Sequence, residues 1–124
     1  MIAADEMMNL ILRTVPAFHA SWQAHLDYWE GDAAGLCNDM QVFGEYVIKA
    51  LQESSPLDLS MVFNLIERLL VEGDTAVKDA AATCFLENLL NSAAAGQIDV
   101  HLFAPYVGKE SRKYCEAWEN FNDL

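Results

Sequence analysis

Basic residues are scarce in this chain: 7 Lys and Arg stand against 19 Asp and Glu, leaving a net charge of −12. Binding to nucleic acid or to an anionic membrane surface rests on clustered Lys and Arg, so neither is an expected partner. Proline and glycine are also few, at 3 and 6, and no Pro-rich or Ser/Gly-rich stretch marks a linker or a disordered tail. No window approaches the roughly 20 apolar residues of a membrane span. The first residues, MIAADEMMNLILRTVPAF, carry Asp5 and Glu6 where a secretory signal needs positive charge. Cysteine is limited to Cys37, Cys84 and Cys115, far apart and without CxxC spacing. They read as reduced core thiols of a cytoplasmic protein.

What the chain does have is apolar mass. Hydrophobic residues make up 53% of its 124 positions, enough for a single helical domain over residues 1–124 that buries roughly two-thirds of its unfolded surface. The periodicity is helical throughout. Met7, Leu10 and Ile11 form a first stripe. Pro16 opens a second helix with Phe18, Trp22, Leu26 and Trp29 inward, closed by Gly31-Asp32. Leu36, Met40, Phe43, Val47 and Leu51 mark the buried face of a third, which Ser54-Ser55-Pro56 ends. Asp58 caps a fourth helix, with Val62, Leu65, Ile66 and Leu69 inside. Gly73 closes it as a C′ residue, and Asp74 caps a fifth that holds Val77, Cys84, Phe85 and Leu89. The small residues Ala80 to Ala82 would let a neighbouring helix come close. A short helix over 99–106 and a last one near 109–121, with Tyr114, Cys115, Trp118 and Phe121 on one face, complete the chain. The expected fold is all-α, a compact bundle of about six to seven helices or helical hairpins of the HEAT or armadillo kind.

Chemistry is harder to find. His19, His25 and His101 lack the i,i+3 or i,i+4 spacing of a helical metal pair, so no metal is expected. Cys84 lies on an inward stripe rather than beside a base. Gly108-Lys109-Glu110-Ser111 lacks the upstream glycine of a phosphate loop. Glu67 and Glu87 sit on the two helices of one hairpin, but a catalytic pair would need a cleft and one raised pKa. They read instead as structural, Glu67 near Arg68 or Lys78 and Glu87 bridging helices. No catalytic residue, cofactor or enzymatic activity is predicted.

The feature with most content is a stretch without bases. From Thr14 through Ile48 there is no Lys or Arg, while Asp27, Glu30, Asp32, Asp39 and Glu45 alternate with Trp22, Tyr28, Trp29, Phe43 and Tyr46. Carboxylates match a basic surface, and aromatics supply the anchors that interfaces favour. Trp22, Trp29 and Phe43 fall on the core stripes. Tyr28 and Tyr46 fall off them, and with Glu30, Asp32, Asp39 and Glu45 they form the candidate partner-binding set.

Two further stretches carry a resemblance. IERLLVEGDTAVKDAAATCFLENLLN (66–91) and FAPYVGKESRKYCEAW (103–118) resemble the signature of a family of small helical bacterial proteins with no assigned catalytic activity. Glu67, Gly73, Asp74, Phe85, Leu86 and Glu87 are the most specific matches. The family's Leu-Gly-Pro-Glu-Ser-like turn is present with Lys109 in place of proline. The resemblance implies an immunity partner of a polymorphic toxin, one that binds a cognate toxin domain with a basic surface and blocks its active or substrate-binding site. The alternative is a HEAT-like adaptor with a non-toxin client. Either would be a monomer or weak dimer.

Overall fold

The computed structural model describes residues 1–117. Helix α1 spans Ala4–Thr14. A 3₁₀ turn, Pro16–Phe18, leads into α2, His19–Tyr28. Next come α3, Leu36–Glu53, and α4, Leu59–Glu72. Helix α5, Thr75–Asp79, runs through a π-helical segment, Ala80–Leu86, into α6, Glu87–Ala94, so that residues 75–94 form one helical rod. Two 3₁₀ turns, Val100–Leu102 and Ala104–Tyr106, stand where one short helix was expected, and α7 spans Lys109–Ala117. The described residues contain no strand, only an isolated bridge between Ile2 and Gly73. The all-α bundle expected from periodicity is the observed fold. Trp118 and Phe121, expected on the last helix's inner face, lie outside the described residues.

The caps act as their residue types dictate. The Asp58 side chain accepts from the Met61 amide at 3.0 Å, and that of Asp74 from the Val77 amide at 2.9 Å; each such cap contributes about 1 kcal/mol. Gly73 differs from expectation. It is extended (φ −70°, ψ 157°), not left-handed, and glycine is needed there for space. A Cβ would run into the Leu69 carbonyl and the Val77 side chain. The same turn receives the N-terminus, where the Ile2 amide donates to Glu72 and the Asp74 amide to Ile2.

The rod 75–94 is the centre of the bundle, with α3, α4 and α7 against its π-helical part. Ala80 and Ala81 are buried there, and farther along the rod Gly44 of α3 lies against Cys84, Phe85 and Asn88, where the lack of a side chain lets the two helices come close. Five fully buried phenylalanines run through the core in one chain of ring contacts. Phe18 meets Phe43 at 5.1 Å between centroids, Phe43 meets Phe85 at 5.6 Å, Phe85 meets Phe63 at 6.0 Å, and Phe63 meets Phe103 at 5.9 Å.

The same crossing corrects the cysteine reading. Cys37, in the first turn of α3, and Cys84, in the π-helical segment, are joined in a disulfide with a Cα–Cα distance of 5.4 Å. Cys84 is buried as expected, but it is not a free packing thiol. A pairing across 47 residues depends on how two helices cross, which cysteine spacing does not encode. Cys115 alone fits the expectation of a free, buried thiol. Burial, offset by Arg112 and reinforced by Glu116, pushes its pKa up to about 11, leaving little thiolate to react.

Thiol counting tests this arrangement. Denatured but unreduced protein should show one free thiol, Cys115, which is unreactive before unfolding. Cys37→Ser should lower the unfolding free energy by about 2–4 kcal/mol, the usual range for a native crosslink closing a loop of this size. Three free thiols in the unreduced protein would contradict the structure.

Candidate functional site

Helix α2 is tied to the core only at its start. Phe18, just before it, is fully buried, whereas no residue from His19 to Tyr28 is buried. The expected inward face of Phe18, Trp22, Leu26 and Trp29 is therefore realised fully at Phe18 and in part at Trp22, which packs against the core. Trp22 and Trp29 are half-buried, Leu26 is 42% exposed and Tyr28 is 81% exposed. The reason is packing: α2 lies at the edge of the bundle, against α3 and the turn that precedes it. Of the three aromatics read as core, Phe43 is fully buried, Trp22 is half-buried and packs against the core, and Trp29 is half-buried at the edge of the bundle.

Beyond Tyr28 the chain turns sharply through left-handed backbone at Glu30 (φ 50°) and Gly31 (φ 88°) before Gly35 (φ 95°) opens α3. This brings the end of α2 beside the start of α3. His25 Nε2 meets Asp39 Oδ1 at 3.0 Å across that junction. The His25 ring lies between Trp22, at 5.4 Å, and Trp29, at 6.4 Å. A cavity of about 120 Å³ opens here, lined chiefly by Trp22, His25, Leu26, Trp29, Asp32 and Asp39.

The six candidate residues divide. Tyr28, Glu30, Asp32 and Asp39 collect around the α2–α3 junction, with the first three exposed. Glu45 is on another flank of α3, where it accepts from Asn88 Nδ2 of α6 at 3.4 Å. Tyr46 is half-buried and packs edge-on against Phe18 at 5.4 Å, which makes it part of α2's anchor. The candidate set omits Trp22, His25 and Trp29. The signal that pointed to them is the poor separation of apolar and polar residues along HASWQAHLDY, which gives no helix face worth burying whole.

The other candidate, the carboxylates of the α4–α6 hairpin, proves structural. Glu67 caps α7 from a distance: its carboxylate accepts from the Glu110 amide at 2.7 Å, the Ser111 amide at 2.9 Å and the Ser111 hydroxyl at 2.8 Å. Neither Arg68, paired with Glu72, nor Lys78 is its partner in these contacts. Burial by itself would raise the Glu67 pKa. The two amides, the hydroxyl and the Lys113 charge outweigh it, so the carboxyl titrates below its ordinary value. A lowered pKa suits a cap and not a general acid. Glu87 bridges helices as expected, accepting from the Tyr114 hydroxyl at 3.1 Å. Burial, and then this bond and the charge of Glu87, push Tyr114 up to about 12 against a small opposing contribution from Thr83. Among the described residues no group of three or more His, Cys, Asp and Glu could hold a metal ion.

Gly108 completes the cap, since a Cβ there would lie 2.6 Å from Glu67 Oε1. Glu67→Ala should cost about 1–2 kcal/mol at neutral pH, as other capping losses do. Gly108→Ala should displace the same carboxylate, so the double variant should cost less than the sum of the two. The folded pKa is depressed, so the stabilisation is complete above the ordinary glutamate range and lost as pH falls through the folded value. The gap between wild type and Glu67→Gln should close on acidification. Urea unfolding at neutral and acid pH measures both, and strictly additive costs would contradict the shared cap.

Comparison with known proteins adds a family and no activity. A family model described as Domain of unknown function (DUF7674) matches residues 8–123. No curated protein and no solved structure matches the chain. With nearly its whole length matched, the chain belongs to the DUF7674 family.

Proposed function

We propose that this protein is an immunity-type binder that neutralises a cognate toxin domain by covering its active or substrate-binding surface. The observation that carries the reading is the α2–α3 junction, where half-buried tryptophans and exposed carboxylates share one edge of the bundle. Half-buried tryptophans beside the exposed Tyr28 and Leu26 give an apolar edge of the kind that marks a protein-interaction surface. Carboxylates around it select a basic surface, such as one built to hold phosphates or another anionic substrate. The net charge of −12 would speed encounter with such a partner. The resemblance carried by residues 66–91 and 103–118 supplies the toxin context. Those two stretches meet at the Glu67 cap, so they support the fold and leave the α2–α3 junction free for recognition. The Cys37–Cys84 bond removes two thiols from the expectation of a cytoplasmic setting, since disulfides persist mainly in oxidising compartments.

Two substitutions test the surface cleanly. Glu30 and Asp32 are exposed, whereas Asp39 and Glu45 hold His25 and Asn88 and would disturb the fold when reversed. Glu30→Lys with Asp32→Lys should slow association with the product of the toxin gene next to this protein's own gene. It should shift stability by about 0.5 kcal/mol or less. Association should also slow about tenfold or more between low and high salt as steering is screened. Co-expression should rescue growth from the toxin in wild type, and less so with Tyr28→Ala and the double reversal together. Absence of rescue by the wild-type protein would overturn the reading.

A further inference from the structure

The cavity between α2 and α3 is specific enough to name what enters it. At about 120 Å³ it is far smaller than the roughly 300–1,000 Å³ of pockets that enclose small-molecule ligands. It has room for the end of a side chain. Its walls include the rings of Trp22, His25 and Trp29, and its rim carries Asp32 and Asp39. Asp39 is a quarter exposed at its side chain and gives His25 one oxygen. A carboxylate has acceptor capacity beyond one such bond. Leu26, also in the lining, is exposed for its size.

Each class of occupant can be weighed by this chemistry. An anion would meet two carboxylates. A neutral apolar group would cover the rings but desolvate the acids without a partner, at a cost. A cation satisfies both walls, since indole faces attract positive charge and carboxylates accept its hydrogen bonds. Of the two basic side chains, lysine presents a compact, strongly hydrated ammonium. Arginine presents a flat, weakly hydrated fork that stacks on a ring while donating sideways to carboxylates. No Lys or Arg occurs between Thr14 and Ile48 to neutralise the rim from the segment that builds it.

We propose that this cavity receives an arginine side chain from the partner's basic surface, its guanidinium stacked on the tryptophans and donating to Asp32 and Asp39. The proposal rests on the binding reading above and names the group recognised. An arginine anchor seated in an aromatic pocket is the kind of contact that dominates an interface.

The probe is Nα-acetyl-arginine methylamide, titrated into the whole protein while the indole N–H signals of Trp22 and Trp29 are followed by NMR. Saturable shifts in the millimolar range are expected. The isosteric but neutral citrulline derivative should not saturate, and the lysine derivative should bind several-fold more weakly. Asp39→Asn should weaken arginine binding about tenfold. Because that change also touches His25, Asp32→Asn, at an exposed residue, is the companion variant and should weaken binding with the melting temperature unchanged. Equal shifts with citrulline, or arginine shifts indifferent to both Asn variants, would overturn the proposal. Failure here alongside toxin rescue that still depends on Glu30 and Asp32 would remove the arginine pocket and leave the binding reading standing. Arginine binding without toxin rescue would uphold the pocket and remove the toxin.

Discussion

The chain of phenylalanine contacts from Phe18 through Phe43, Phe85 and Phe63 to Phe103 is the constraint on which the bundle hangs. Each ring comes from a different element: the turn before α2, then α3, the π-helical segment, α4, and the bend between the two 3₁₀ turns. Aromatic pairs in such geometry contribute about 0.5–1.5 kcal/mol beyond their area, and each ring buries a large apolar surface besides. Moving one element therefore disturbs two neighbours at once. The crossing of α3 over the rod 75–94 is set at the Phe43–Phe85 stack, and the Cys37–Cys84 bond closes beside it.

The chain of rings ends at Phe18, and the end matters as much as the chain. Helix α2 continues past it for ten residues, none of them fully buried, with Trp22 packed against the edge of the core. Its tryptophans are left half-covered by His25 and by the start of α3. In a molecule that buries every described phenylalanine fully, two half-exposed tryptophans mark the edge where the core stops. Stability alone would favour polar residues there. On the proposed reading, a partner covers them.

Much of this fold is legible in the sequence because it is local. The stripes of α3 and α4, the Asp58 and Asp74 caps and the Gly73 turn depend on residues within one or two turns of each other. What escapes is non-local. Glu67 finds its partners 43 and 44 residues away, at Glu110 and Ser111, and Cys37 finds Cys84 47 residues away. Neither separation leaves a periodic trace. Helix α2 fails differently. Phe18, Trp22, Leu26 and Trp29 do recur at helical spacing, but a stripe shows only that a face exists, not that the protein has an element to bury it. Of the candidate residues, Tyr28, Glu30, Asp32 and Asp39, picked out by charge and aromatic content, gather at the α2–α3 junction. Glu45 and Tyr46 lie apart from them because residues along one helix point to different flanks.

The two walls of the α2–α3 junction are held with unequal firmness. Asp39 stands two residues after Cys37, so the disulfide that fixes the first turn of α3 to the rod also fixes the acidic wall. The aromatic wall is held by Phe18 and Tyr46 at one end and by the His25–Asp39 contact at the other. A charge placed in advance costs a partner no reorganisation, while a lightly packed aromatic wall can adjust to a flat group sliding between its rings. In the proposed complex the acids set where the partner's cation docks, and the tryptophans set how closely it fits. On the proposed reading, the Cys37 end of the crosslink, two residues before Asp39, bears on recognition through a single helical turn.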